Sequence, residues 1–286
     1  QVSVTSEKKA RHKTSPGARE HLSGAGCGEG RVIALERRLR HCRHVLTLGV
    51  RPNLESYPEE ALDMIQMAEK VYYPSVFYAD LFDAMGKATF PSAHTYRYVQ
   101  DKIKQTALFK LLGIPHPRTH VYYGRNQQRR IRSEFAYPFV AKVARGSALG
   151  RGVYLIQDHA QLEKYLAANR VAYIQQYMPI DRDIRAVVVG TEVVHAYWRV
   201  SAAEDFRTNV SAGGRILLDE VPRAALELAR QTALECGWND VGLDICCAEG
   251  RWYVLEGNMK YGKAGFRAAG IDYYHMMDTM IANGTI

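Results

Sequence analysis

The sequence predicts an α+β chain with a small α/β region toward its N-terminal end, and two patterns lead to that reading. Between residues 44 and 90, short apolar strands alternate with helices, as a small parallel sheet requires. From about residue 118 onward the pattern changes to paired β-segments joined by glycine-containing turns. Two helices interrupt those pairs, and the whole reads as antiparallel hairpins on a helical layer.

Taken in order, the stretch ending at Gly30 is rich in Ser, Gly and charge and carries almost no large apolar residue, which predicts a mobile segment. It has no apolar centre of the secretory kind, and its glutamates argue against an organelle transit peptide. Residues 32–43 are compatible with a short basic helix. HVLTLGV (44–50) is a strand, after which Leu62, Ile65, Met67 and Ala68 mark a helix with Pro58 near its first turn. KVYYPSV reads as a second strand, YADLFDAMG (78–86) as a helix ended by Gly86, and KATFPS as a third extended piece. A long helix then runs from Ser92 as N-cap to Gly113 and Pro115. Its expected buried stripe passes through Tyr96, Val99, Ile103, Leu108 and Leu111, with Lys102 and Lys104 away from it.

The hairpin region comprises THVYYG, YPFVAKVA with RGVYLIQ, VAYIQQY, and DIRAVVVG with EVVHAYWRV turning at Gly190–Thr191. Helices are predicted at 159–168, capped by Asp158, and at 223–236. VGLDICC (241–247) and RWYVLEGN (251–258) close the series as a hairpin with AEG as its turn. The divisions are an N-terminal extension over 1–43, a small α/β domain and linking helix over 44–114, and a larger domain over 115–286. The last splits at about residue 175 into two subdomains.

The 286 residues, 47% of them hydrophobic, suffice for one large core or two to three smaller ones. No run of about 18 apolar residues is present, which excludes a membrane-spanning helix. Residues 1–43 hold ten Lys/Arg against four Asp/Glu, most of the net charge of +8. The basic pI therefore describes the extension and its flank, and argues against a nucleic-acid-binding face on the rest. Five cysteines without a CxxC pair read as reduced thiols of a cytoplasmic protein, with core packing expected for Cys246 or Cys247.

Chemistry concentrates in a few segments. Strand alternation projects Glu256 and Asn258 from one face, and puts Asp244 with Gly242 and Cys246 opposite Val241, Leu243 and Ile245. An odd-membered loop centred on Gly250 would make Asp244 and Glu256 cross-strand neighbours, a repulsive pair unless a cation joins them. Few hard oxygen ligands suit Mg²⁺ carrying a nucleotide phosphate, and the competing reading is two exposed carboxylates paired with arginines. Lys142 stands inside an apolar strand, which is costly unless an anion meets it, and glycines 146, 150 and 152 follow at once. The order of a P-loop is absent. Asp183 and Arg185 share a strand face, either as a surface ion pair or as ribose and phosphate ligands. His195 is expected to pack against Tyr197 and Trp198 rather than act as a base.

Assembled in order, QDKIK, the lysine strand with its glycine-rich hairpin, a QQY hinge, DIRAVVVG, FRTNVSAGG and D…ExN resemble the ATP-grasp superfamily. Within it the chain is most similar to the RimK-type α-L-glutamate ligases, from about Asp101 to Gly265. The resemblance implies two α+β subdomains closing on ATP, preceded by a small α/β domain. It implies phosphate binding by Lys102 and Lys142, a covering loop with Gly146, Ser147 and Gly150, and an adenine hinge at Gln176 and Tyr177. Asp183 and Arg185 would lie beside ribose and phosphates, Arg207 and Asn209 at the reaction centre, and Asp244, Glu256 and Asn258 on Mg²⁺, with Mn²⁺ an alternative ion. After Asn258 and one further residue, Met259, the family commonly has Ser-Pro-Gly where this chain has Lys260, Tyr261 and Gly262, so the acceptor region departs from the pattern. Arg199 and Lys260 are the candidate substrate-binding residues, with surface solvation an equal alternative for Arg199.

The expected activity is ATP-dependent carboxylate–amine ligation through an acyl phosphate, with glutamate one amino acid it would add to a small-molecule or peptide acceptor. The alternatives are phosphotransfer to a small hydroxyl substrate and, with less support, nucleic-acid binding through the N-terminal extension. A homo-oligomer is compatible with the sequence.

Overall fold

In a computed structural model, which describes residues 32–146, 152–201, 208 and 214–286, three sheets follow one another along the chain. The extension up to residue 31 lies outside the described residues. The first sheet contains β1 (Val32–Ala34), β2 (Val45–Thr47), β3 (Lys70–Tyr72) and β4 (Ala88–Phe90), all parallel in the order β2-β1-β3-β4. Helices α1 (Glu59–Met67) and α2 (Ser75–Ala84) make the crossovers. Residues 32–43 are therefore not the expected basic helix. They supply the inner strand β1 and a single 3₁₀ turn over Arg37–Leu39. The cause is the run Val-Ile-Ala-Leu, apolar on both faces, which suits a parallel strand covered on both sides. Ile33 and Leu35 pack under α1 and α2, while Ala34 faces the opposite core.

The long linking helix is in fact two. Ser92 caps α3 (Ala93–Tyr96) as expected, its hydroxyl accepting from Thr95 N at 3.1 Å. Gln100 then takes a left-handed φ of 54°, and Asp101 caps a new helix, α4 (Lys102–Leu112), ended by Gly113 at φ 70°. The buried face of α4 is Lys102, Gln105, Thr106 and Phe109, whereas Leu111 is 84% exposed. Of the expected stripe, Tyr96 is buried and Val99 and Leu108 pack against the core, but Leu111 faces out and the buried face includes polar groups that bond to facing strands.

The second sheet is antiparallel in the order β5-β8-β6-β7, from β5 (Thr119–Tyr123), β6 (Phe139–Lys142), β7 (Val153–Ile156) and β8 (Val171–Gln176). The short α5 (Gly124–Gln128) follows β5 without a buried residue, while α6 (Ile131–Glu134) and α7 (His159–Ala168) cover one face of the sheet, around Ile131, Phe139, Ala141, Leu162 and Ile174. Asp158 caps α7 through Gln161 N at 2.8 Å.

The third sheet has the order β11-β10-β9-β12-β13. Its strands are β9 (Arg182–Val189), β10 (Glu192–Val200), β11 (Arg215–Leu217), β12 (Asp240–Ala248) and β13 (Arg251–Asn258). Helix α8 (Arg223–Glu235) packs on Ile184, Ala186, Val188, Val241, Leu243 and Ile245. Beyond it, α9 (Ala264–Ala268) and α10 (Tyr273–Ala282) join Val187 and Val189 to the back of the first sheet at Ala34, Tyr72 and Phe90. His195 packs on Tyr197 and Phe266, with ring centroids 5.2 and 4.9 Å away, while Trp198 belongs to the α8 core. No helix of the described residues is long and apolar enough to cross a membrane.

The last hairpin reaches its expected pairing by a different route. Its turn has two residues, Glu249 and Gly250, both at positive φ (50° and 71°), rather than an odd number. With that turn alone, Asp244 would oppose Leu255. A bulge between Asp244 and Ile245 shifts the register, and Asp244 pairs with Glu256.

Gly257 lies against the buried Trp238, and a Cβ there would stand 2.7 Å from the ring. Gly257→Ala is expected to lower stability by about 1–3 kcal/mol. Gly262→Ala, with nothing within 4 Å of the added carbon, is expected to stay within about 0.5 kcal/mol of wild type. Urea unfolding of the two variants checks the contrast.

Candidate active site

Strand register sets the site. Tyr197, Arg185, Asp244 and Glu256 form one transverse row across β10, β9, β12 and β13, and Arg199 opposes Asp183 in a neighbouring row. Side chains two apart share a face, so both rows project from the side of the sheet opposite α8. Arg185 bonds Asp244 through Nε to Oδ1 and through Nη2 to Oδ2 at 3.2 Å. Arg199 holds Asp183 through Nε at 2.8 Å and Nη2, and reaches Asp244 Oδ2 at 3.1 Å. All four are buried. Such residues are neither a surface ion pair nor a solvated arginine. Asp183 also accepts from Thr208, so it faces neighbours in the protein rather than standing as a free acceptor.

The two acids differ in protonation tendency. Burial pushes Asp183 up, although Arg199 binds both its oxygens. Burial acts on Asp244 in the same direction, but Arg185 and Arg199 together outweigh it and hold that carboxylate below its ordinary range. Asn258 adds a third partner, donating Nδ2 to Asp244 Oδ2 at 3.1 Å. Gly242 makes room for this group, since a Cβ there would meet Arg185 Cδ at 3.0 Å and Tyr261 Cβ at 2.9 Å.

Two buried lysines approach the same row. Lys102 Nζ lies 3.7 Å from Glu256 Oε2. Lys142 lies where Glu256, Lys102, Asp244 and Cys246 all act on its charge, and burial lowers its pKa. Tyr165 donates to the Lys142 carbonyl at 2.7 Å, fixing the strand. The start of α4 is tied to the beginning of the glycine-rich segment: Lys102 N donates to Ala144 O at 3.1 Å, and Gly146 N to Gln100 O at 3.1 Å. Gln176 ends β8, its amide bonded to Arg118 O at 2.8 Å, with Tyr177 next in the chain. Lys260 is half exposed and pairs with Glu36 at 3.6 Å. Ser147, Gly150, Arg207 and Asn209 lie outside the described residues.

Gln105 and Thr106 were not singled out in the sequence. The Gln105 amide donates to Gly257 O at 2.9 Å and accepts from Gly257 N at 3.0 Å, pinning the strand between Glu256 and Asn258. Thr106 bonds the Tyr173 hydroxyl at 2.7 Å on the second sheet. Polar residues three and four places after Lys102 were the available signal.

The donor set fits a divalent cation in part. Glu256 keeps a half-buried carboxylate, and Asn258, oriented by its own N–H₂, has its Oδ1 left over. Asp244 accepts from Arg185, Arg199 and Asn258, which uses the roughly four acceptor positions of a carboxylate. In this arrangement it orients the site rather than serving as a ready ligand.

The family model of the RimK-like ATP-grasp domain matches residues 99–281. The chain belongs to that family. Among its relatives, "Beta-citrylglutamate synthase B" of Danio rerio is 31% identical over 56% of this chain and 42% of its own length. "Probable alpha-L-glutamate ligase" of Enterobacter sp. (strain 638) is 28% identical over 67% of this chain and 66% of its own. The chain thus spans less than two thirds of these relatives. The RimK-domain ATP-grasp protein of Sphaerobacter thermophilus superposes with a TM-score of 0.64 at 18% identity, over 88% of this chain and 98% of that one, a likeness of fold.

Burial strips the Lys142 ammonium of water and Lys102 repels it, with Glu256 and Asp244 offsetting only part of this, so Lys142→Met should raise the melting temperature of the nucleotide-free protein. A lysine whose folded pKa is depressed destabilises below that pKa, and the penalty fades as pH rises through it toward the unfolded value of about 10.4. The advantage of the variant is therefore expected to be largest near neutrality and to shrink toward pH 10, as read by thermal melts across that range.

Proposed function

We propose that the chain is an ATP-dependent carboxylate–amine ligase. The observation that carries the reading is the meeting of Lys102 and Lys142, both buried, with Glu256 and Asn258 next to Ala144 and Gly146. Two buried lysines that act on each other's charge suit an anion, and a polyphosphate is the anion that such a family takes. Arg185 has its guanidinium at the same row, and a phosphate oxygen would compete with Asp244 for it. Mg²⁺ would be held by Glu256 and the Asn258 Oδ1, with Asp244 available once Arg185 turns to phosphate, and Mn²⁺ would suit the same oxygens. The ion supplies charge neutralisation on the phosphates when bound.

The chain's own residues then do the work of positioning. A donor carboxylate takes the γ-phosphoryl group to give an acyl phosphate and ADP, and an amine displaces phosphate to leave an amide. Lys102 and Lys142 neutralise charge on the phosphates, and Gln105 keeps β13 at a fixed distance from them. Gln176 and Tyr177 stand where the adenine would meet backbone, and Ser147, Gly150, Arg207 and Asn209 keep the roles that the resemblance implies. The relatives' names favour glutamate as the added amino acid, on a small-molecule or peptide acceptor. A cytoplasmic location belongs to the same reading, with ATP at hand and thiols that are free among the described residues.

Glu256→Gln removes one charge at nearly constant shape. ADP release that depends on Mg²⁺, followed over a panel of amino acids and short peptides with mass spectrometry of the product, is expected to fall at least 100-fold. The melting temperature should change little. Wild-type turnover in that variant overturns the metal assignment, and a phosphoester product in place of an amide overturns the ligase reading.

A further inference from the structure

Basic charge gathers on the second sheet as well as at the N-terminal end. From Lys102 to Gln157 the sequence holds eleven Lys/Arg and a single acid, Glu134. Lys142 lies on the cleft face of that sheet, 6.0 Å from the Tyr173 ring, while Phe139, Ala141 and Ile174 face the helices. On the helical side, away from the cleft, is a groove of about 520 Å³, a size that suits a recognition site. Arg125, Arg129 and Arg132 line it from the side of α5 and α6, and Leu162, Glu163 and Leu166 line it from α7.

The charge in this groove is unbalanced. Arg125, Arg129 and Arg132 are exposed and make no ion pair among the described residues. Glu134, the acid nearest in sequence, is taken up by Arg130 at 2.6 Å, His120 at 2.8 Å and the Tyr122 hydroxyl at 2.7 Å. Glu163 faces His159 at 3.9 Å, a loose contact. Arg125 and Arg129 stand one helical turn apart, a like-charge spacing that weakens a helix, and α5 has no buried residue to offset it. Beside the three guanidiniums, the buried Leu162 and half-buried Leu166 give the groove an apolar floor. Guanidinium forks match carboxylates in paired hydrogen bonds. No Phe, Tyr or Trp lines the groove among the described residues, whereas single-stranded nucleic acid draws affinity from stacking on such rings.

We propose that this groove docks an acidic segment of a partner polypeptide, one in which Asp or Glu residues flank an apolar side chain. The carboxylates pair with Arg125, Arg129 and Arg132, and the apolar side chain lies over Leu166. Each exposed pair contributes little by itself, so recognition depends on several acting together and weakens as salt is added. Docking on the helical side of the second sheet leaves the cleft at Lys142 open. The proposal does not rest on the ligase reading, because no residue of the groove belongs to the cleft.

Fluorescence anisotropy of the full chain tests this, with a fluorescein-labelled peptide of glutamates interrupted by leucines as the probe. A peptide with Gln for Glu and an oligouridylate RNA serve as comparisons. The acidic peptide is expected to bind, and the Gln peptide at least tenfold more weakly. Reversing two charges together, Arg125→Glu with Arg129→Glu, should weaken the acidic peptide at least tenfold. Arg223→Glu, at an exposed position on α8, should change it less than twofold. Thermal melts establish that the variants are folded; if the double reversal melts early, Arg129→Gln is used in its place, with at least a threefold loss expected. Acidic-peptide binding that is absent in wild type, or lost equally in Arg223→Glu, overturns the groove. RNA that binds more tightly than the peptide and is released by the same reversals overturns the polypeptide partner.

Discussion

Asp244 is a carboxylate placed on the inner face of a five-stranded sheet, and its neutralisation is the constraint that the rest of the site obeys. An ion removed from water without partners carries a penalty of several kcal/mol even after relaxation. Two guanidiniums remove it here, one from the adjacent strand and one shared with Asp183. The position that must lie under the Arg185 stem is a glycine for the same reason. Beside these satisfied charges lie Glu256, Lys102 and Lys142, with Lys102 facing Glu256 at 3.7 Å.

Helix α4 links the parts that must act together. From one face it places Lys102 beside Glu256, Gln105 on the backbone of Gly257, and Thr106 on Tyr173 of the second sheet. At the start of β12, Tyr73 and Tyr261 each donate to the wholly buried Asp240, at 2.8 and 2.6 Å. Burial raises the pKa of Asp240 despite Arg38 and those two hydroxyls. The first sheet is thereby fastened to the strand that also carries Asp244.

Local chemistry was legible in the sequence. Ser92 and Asp158 cap their helices, Gly113 ends α4, and Gly190–Thr191 turns its hairpin, because each depends on a side chain or φ within a few residues. The motif order located Lys102, Lys142, Asp244, Glu256 and Asn258, and the structure brings them to one cleft. What stayed hidden depends on distant partners. The pairing of Arg199 with Asp183 follows from the register of β9 and β10, and the bulge in β13 has no local signature. Lys102 reads as lying off the buried stripe because polar residues turned inward look, by periodicity, like polar residues turned to water. Arg38 was counted as part of a charged extension, although its aromatic neighbours arrive from beyond residue 260.

The Gln105 side chain also shields the sheet. β13 is an edge strand, and an open edge invites pairing with any extended chain that passes. A primary amide presents an N–H and a C=O side by side, the same pair that a neighbouring strand would offer, and it caps Gly257 on both groups. Three residues away, the Pro115 carbonyl accepts from Val254 N at 2.8 Å. The border next to Glu256 and Asn258 is closed from within the chain, which leaves it little capacity to template aggregation or to recruit a stray strand into the cleft.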